Sequence, residues 1–237
     1  MKVLILAGGL GTRISEETAN KPKPMVSING NPILWHLMNI YATQGFNEFV
    51  VATGYKGEVI EEWVKTIEEN WSVMTLPTGL ETQTGGRIAE CMAHLSGERV
   101  FATYGDGLAN VNLTALVDFH LHHGKLATVT AVRPPARFGV LESSNGLVTH
   151  FAEKNQTDSG WINGGFFVLE PEVKNFIDNP NEPFESGALS RLVKEQELMA
   201  YHHEGFWQPM DTLREKQELE KFARKSPPPW LDFGIKP

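Results

Sequence analysis

An apolar run near the amino terminus is followed at once by Gly8-Gly9-Leu10-Gly11-Thr12-Arg13. The three glycines permit close approach of the backbone to an anion, and Arg13 adds a fixed positive fork suited to phosphate oxygens. Spacing excludes two common phosphate loops. A dinucleotide fingerprint needs a third glycine where Ile14 stands, and a Walker A loop needs a Gly-Lys-Ser/Thr that does not follow. From spacing alone the segment is a phosphate cradle of another type or a plain tight turn. Asp106 lies between Gly105 and Gly107 just past another apolar run, where open α/β sheets bind ligands. It reads as a metal ligand with room for waters, or as a turn aspartate. Asp211, just before a helical stretch, reads by itself as a helix N-cap. The Glu153-Lys154 pair reads by itself as a solvated strand edge. Of His120, His122 and His123, only the first and last share a helix face, so no transition-metal site is expected. His202-His203 read as surface residues, and Cys91 as core within an apolar helical stripe.

These residues must be held by a larger frame, and its elements are legible in the hydrophobic pattern. Lys2 to Ala7, Phe49 to Ala52, Val73 to Leu76, Val100 to Tyr104 and Ala127 to Val132 are short apolar runs of the kind buried on both faces of a parallel sheet. Between them lie helical stripes: Leu34, Leu37, Met38 and Tyr41 after an Asn31-Pro32 start; Ile60, Trp63, Val64 and Ile67; Ile88, Cys91, Met92 and Leu95; and Leu113, Leu116, Val117 and His120. Strand and helix in alternation predict an α/β fold, a mixed but mainly parallel sheet with helices on both faces. After Pro134-Pro135 the character changes. Short strands at Phe138 to Leu141 and Leu147 to Glu153 flank an Asn145-Gly146 hairpin signal, and Ile162 to Leu169 is a further strand. Helices around Val173 to Ile177 and Ala188 to Gln196, a strand near Leu198 to His202 and a charged helix from Leu213 to about Arg224 follow. The tail Pro227-Pro228-Pro229-Trp230 predicts an extended arm. The whole reads as one domain in two parts, 1–133 and 134–237, the second a small β subregion with the C-terminal helix and tail.

Composition narrows the function classes. The 237 residues carry 29 acidic and 21 basic side chains, a formal charge of −8, which argues against nonspecific binding of nucleic acid or anionic membranes. No apolar run approaches a bilayer span, and Lys2 with the short run after it makes no signal peptide. One cysteine excludes an internal disulfide and a cysteine-based zinc site, so a cytoplasmic protein is expected.

Leu6-Ala7-Gly8-Gly9-Leu10-Gly11-Thr12-Arg13 followed by Lys21-Pro22-Lys23-Pro24-Met25 resembles the signature of the sugar nucleotidyltransferases. The likeness is closer to the branch that transfers cytidylyl groups to glucose 1-phosphate. It runs through Ser15-Glu16-Glu17-Thr18, Pro32 to His36, Gly54-Tyr55-Lys56-Gly57, Thr84-Gly85-Gly86-Arg87, Tyr104-Gly105-Asp106-Gly107, Phe151-x-Glu153-Lys154, Ile162 to Leu169 and Gly205 to Thr212. These motifs cover nearly the whole chain in order. Two departures stand out: Asn155 replaces a proline, and the chain is shorter than the branch pattern between Trp63 and Gly85. In the family that stretch lies near the nucleotide edge and the subunit contacts, which leaves base choice and assembly the least constrained.

The resemblance implies attack of a sugar 1-phosphate oxygen on the α-phosphorus of a nucleoside triphosphate, with pyrophosphate leaving. It names CTP and glucose 1-phosphate as substrates, Mg²⁺ as cofactor and a homo-oligomer as the assembly, and makes 1–133 the nucleotide-binding part and 134–237 the sugar-binding part. Arg13 and Lys23 become the catalytic cations, Lys23 rather than Lys21 matching the signature lysine. Leu6, Ala7, Gly8, Gly9, Gly11, Thr12, Gly85, Gly86, Arg87 and Asp106 become nucleotide-binding, although a structural helix start suits Arg87 equally. Gly139, Glu153, Lys154, Asn163 and Gly164 become sugar-phosphate-binding, and Asp106 with Asp211 the metal carboxylates. A uridylyl- or thymidylyltransferase and a non-catalytic sugar-nucleotide-binding homologue remain the rivals.

Overall fold

The computed structural model describes residues 1–95, 97–134, 140–144, 146–152 and 160–233. In chain order its strands and helices are β1 (Lys2–Ala7), α1 (Ser15–Thr18), β2 (Ser27–Ile28), β3 (Asn31–Pro32), α2 (Ile33–Ala42), β4 (Glu48–Thr53), α3 (Gly57–Val64) and β5 (Ser72–Pro77). There follow α4 (Thr84–Ala93), β6 (Val100–Tyr104), β7 (Gly107–Ala109), α5 (Leu113–His123), β8 (Ala127–Val132), β9 (Val140–Ser144) and β10 (Leu147–Ala152). The chain closes with β11 (Ile162–Leu169), α6 (Ala188–Lys194), β12 (Leu198–His203), β13 (Trp207–Pro209) and α7 (Leu213–Ala223).

Seven strands form one sheet in the order β12-β8-β11-β6-β1-β4-β5. All run parallel except β11, which is antiparallel to both neighbours, β6 and β8. Alternate residues of each strand enter opposite cores, as the two-residue period of a strand requires. Val3, Ile5, Phe49, Val51 and Phe101 face a cluster with Leu34, Leu37, Met38 and Tyr41 of α2, Leu113 and Leu116 of α5 and Leu219 of α7. Leu4, Val50, Val100 and Ala102 face Ile88, Cys91 and Met92 of α4 and Leu189 and Leu192 of α6. The sheet is thus covered on both faces, as the continuous apolar runs predict. Among the described residues no helix is long and apolar enough to cross a membrane.

Several local expectations change. Asn31 is not the N-cap of α2: Pro32 holds that position, without a side-chain cap, and the two residues pair with Ser27–Ile28 as β3. Residues Pro171–Phe176 form a 3₁₀ helix rather than an α-helix. The tail is no extended arm: Pro229–Leu231 make a 3₁₀ turn that buries Trp230 against His36 and Phe206. His202 is exposed, but His203 is half-buried, its ring 3.2 Å from the Phe206 carbonyl. In the hairpin of β9 and β10, Ser144 pairs with Leu147, and Gly146 has φ +82°.

Candidate active site

The carboxyl ends of β1 and β6 border a cleft of about 1040 Å³. Because β11 runs the other way, its first residues reach the same edge, so Asn163 and Ile162 line the cleft opposite the glycine loop.

Lys23 is buried at the centre of the polar wall. Its ammonium lies 2.6 Å from Asp106 Oδ2 and 2.6 Å from Asp211 Oδ1, and the Arg13 guanidinium donates to the other oxygen of Asp211 at 2.7 Å. Burial would push the Lys23 ammonium down, but Asp106 and Asp211 outweigh it and hold its pKa above the usual lysine value. Burial likewise opposes ionisation of Asp211, yet Lys23 and Arg13 keep its carboxyl below the usual range. Both carboxylates converge on one cation, which suits a hard divalent ion as well as an ammonium. No group of three or more His, Cys, Asp or Glu side chains that could hold a metal occurs among the described residues. A metal at Asp106 and Asp211 would therefore draw its other ligands from water or a substrate.

Three local devices assemble this group. Lys23 rides on a 3₁₀ turn, Lys23–Met25, whose Pro24 packs on Gly105. A Cβ at Gly105 would stand 3.1 Å from Pro24 and 2.9 Å from the Leu6 carbonyl, so this glycine serves close packing of the turn rather than space for metal waters. Asp106 and Asp211, far apart in sequence, meet because β7 pairs antiparallel with β13, Gly107 opposite Pro209, and the Met210 N–H donates to the Asp106 carbonyl at 2.8 Å. Asp211 is not the N-cap of α7. Thr212 is, in a capping box whose Glu215 carboxylate accepts from the N–H groups of both Asp211, at 2.7 Å, and Thr212, at 3.0 Å. The cap thereby leaves the Asp211 side chain to the cleft.

Leu6, Ala7, Gly8, Gly9, Gly11, Thr12 and Arg13 all line the cleft. Gly11 needs its glycine, at φ +64° with Thr18 and Lys23 crowding any Cβ. Arg87 lies beneath the loop. Its buried guanidinium donates to the carbonyls of Thr53, at 2.9 Å, and Gly8, at 3.2 Å, and to the Thr78 hydroxyl. A side chain at Gly8 would collide with that guanidinium. Gly85 and Gly86 do not line the cleft: the backbone of Pro180 and Glu182 occupies the space their side chains would fill. Gly164 likewise packs against Val132 and accepts from the Trp207 indole at 2.8 Å. Gly139, Glu153 and Lys154 lie outside the described residues. Sequence reasoning missed Glu185, Tyr104 and Trp207, which also line the cleft. Tyr104 adjoins the Gly105-Asp106-Gly107 motif, but nothing local marks Glu185.

The sequence profile of the nucleotidyl transferases matches residues 2–235. The chain belongs to the nucleotidyl transferase family. This nucleotidyl transferase is 46% identical to the glucose-1-phosphate cytidylyltransferase of Salmonella typhi, covering 97% of this chain and 98% of that protein. It is 40% identical to a probable glucose-1-phosphate cytidylyltransferase of Bacillus subtilis, over 97% of this chain and 99% of that one. The Salmonella alignment spans 253 positions against 237 residues here, so that relative carries residues this chain lacks. The fold matches a putative glucose-1-phosphate thymidylyltransferase of Bacillus anthracis with a TM-score of 0.75 at 20% identity, over 95% of this chain and 96% of that one.

Proposed function

We propose that this nucleotidyl transferase transfers a cytidylyl group from CTP to glucose 1-phosphate, giving CDP-glucose and pyrophosphate. The convergence of Lys23, Asp106, Asp211 and Arg13 on one point of the cleft carries the reading, and the near full-length likeness to glucose-1-phosphate cytidylyltransferases supports the choice of base and sugar.

A sugar phosphate is already ionised at neutral pH, so the attacking oxygen needs no general base. The obstacle is the meeting of two polyanions, and positioning with charge stabilisation must supply most of the rate. The glycine loop offers backbone N–H groups to the triphosphate. Arg13, largely exposed at the cleft mouth, neutralises the departing pyrophosphate. Lys23 bridges phosphates across the reacting centre. Asp106 and Asp211 would hold Mg²⁺, which would supply neutralisation of phosphate charge. Glu153, Lys154, Asn163 and the backbone at Gly139 receive the sugar phosphate. The same reading carries a cytoplasmic location and a homo-oligomer, which sedimentation velocity tests.

A matrix of CTP, UTP, dTTP, ATP and GTP against several sugar 1-phosphates, read as pyrophosphate release, tests the assignment. Cytosine and uracil differ at position 4, amino donor against carbonyl acceptor, and a buried acceptor in the site rejects the wrong base strongly. CTP with glucose 1-phosphate is expected to exceed the other nucleotides at least about a hundredfold in kcat/KM. Comparable rates with UTP or dTTP would sink the cytidylyl assignment. No release with any pair would make the chain a binding homologue. Activity is expected to vanish with EDTA and to fall steeply in Asp106→Asn with the fold intact. Full activity in EDTA overturns the metal assignment.

A further inference from the structure

Glu185 stands in the segment before α6 and lines the cleft between the start of α4 and the start of β11. One carboxylate oxygen accepts from the Thr84 hydroxyl at 2.9 Å, and the other accepts the Tyr104 phenol proton. Tyr104 oxygen in turn accepts from Asn163 Nδ2 at 3.1 Å, and Asn163 Oδ1 accepts from the Gly165 N–H at 2.8 Å. The Phe184 N–H donates to the Thr84 hydroxyl at 2.8 Å, which ties the neighbour of Glu185 to α4.

The donor count gives this chain a direction. A phenol has one proton, and an ionised carboxylate can only accept. With its proton committed to Glu185, Tyr104 can only accept from Asn163. The amide must therefore turn its NH₂ to Tyr104 and its carbonyl to the Gly165 N–H. One N–H and one lone pair of Asn163 remain for the cleft, enough to read a hydroxyl as both acceptor and donor.

We propose that Glu185 is a positioning residue for the sugar half of the site, setting through Tyr104 the amide of Asn163 that reads a sugar hydroxyl. The proposal rests on the reading above that Asn163 meets the sugar.

Initial rates of pyrophosphate release and ¹⁵N spectra of the Asn163 side-chain amide, assigned with Asn163→Asp, test it together. Glu185→Ala and Tyr104→Phe are each expected to raise KM for glucose 1-phosphate about tenfold while KM for CTP moves less than about twofold. The double variant is expected to be little worse than either single one, because both act through one chain. Glu185→Gln keeps an acceptor for the phenol and is expected to recover most of the loss. The Asn163 amide signals should shift in Glu185→Ala and in Tyr104→Phe and stay near their wild-type positions in Glu185→Gln. A large loss in Glu185→Ala with none in Tyr104→Phe, additive losses, or an equal rise in KM for CTP would overturn the relay. So would amide signals that Glu185→Ala leaves in place, a result that holds even for an inactive chain. Failure of wild-type turnover with CTP and glucose 1-phosphate would instead count against the functional reading alone.

Discussion

At the residue scale the site turns on an ammonium held between two carboxylates. Lys23 is buried and carries its charge because Asp106 and Asp211 face it, whereas Lys21 does not line the cleft. Lys23→Ala is expected to cut kcat by about 10²–10³, the loss typical of a transition-state charge contact. Lys21→Ala should cost far less, and steady-state kinetics of the pair decides the register of the signature. Arg87 makes a second, different contribution. Its bond to the Gly8 carbonyl fixes that peptide, and a planar trans peptide then aims the Gly9 N–H the opposite way. Arg87→Ala would remove a buried side chain and its charged hydrogen bonds from beneath the loop, while the Thr53 carbonyl keeps the Thr78 N–H and hydroxyl and the Gly8 carbonyl keeps the Tyr55 N–H. We expect a stability loss of about 2–4 kcal/mol by urea titration and a higher KM for the nucleotide.

At the element scale, small non-local pairings do the assembling. The three-residue ladder of β7 and β13 sets Asp106 beside Asp211, and the capping box of α7 sets the backbone that carries Asp211. Removing the cap loosens the metal side of the site without touching a proposed ligand. Thr212→Ala is expected to lower stability by about 1 kcal/mol, about 2–4 °C in Tm for a chain of this size. The same variant should need several-fold more Mg²⁺ for half-maximal activity. A melting scan with a Mg²⁺ titration checks both, and an unchanged Mg²⁺ requirement would mean that the cap does not govern Asp211.

Over the whole molecule, stability carries a pH dependence from histidines held neutral. Burial pushes His36, His120, His123 and His203 below the ordinary value of 6.5; His123 is lowered further by neighbouring positive groups. His120 is fully buried, its ring 2.8 Å from the Thr128 hydroxyl, and His123 meets the same hydroxyl at 2.7 Å. Because the folded pKa lies below the unfolded one, the unfolded chain binds more protons in acid. The stabilisation is complete above about pH 6.5 and is lost as pH falls through the folded values, by up to about 1.4 kcal/mol per pH unit for each histidine. Urea midpoints at pH 7.5 and 5.5 should show the fall, and His120→Gln should shallow it. An equal slope in that variant would remove His120 from the account.

The amino-acid sequence determined much by itself, because the signals are local. Continuous apolar runs announced strands buried on two faces, helical stripes announced their covers, and Gly8 to Arg13 with Asp106 marked the edge where the cleft opens. Only the tertiary structure decided the rest. A buried strand has the same apolar composition in either direction, so periodicity does not reveal that β11 runs antiparallel between β6 and β8. Asp211, adjacent to a helix start, looked like its cap until the capping box assigned that role to Thr212. Gly85 and Gly86 look like ligand contacts in the sequence, yet backbone from residues 180–182 fills the space beside them, and Arg87, which does line the cleft, also serves carbonyls beneath the loop. Glu185 carried no local mark at all. Apart from the capping box, a local Thr212-x-x-Glu215 signal, the deciding partner lies elsewhere in the chain, and its contact exists only after folding has closed the intervening loop.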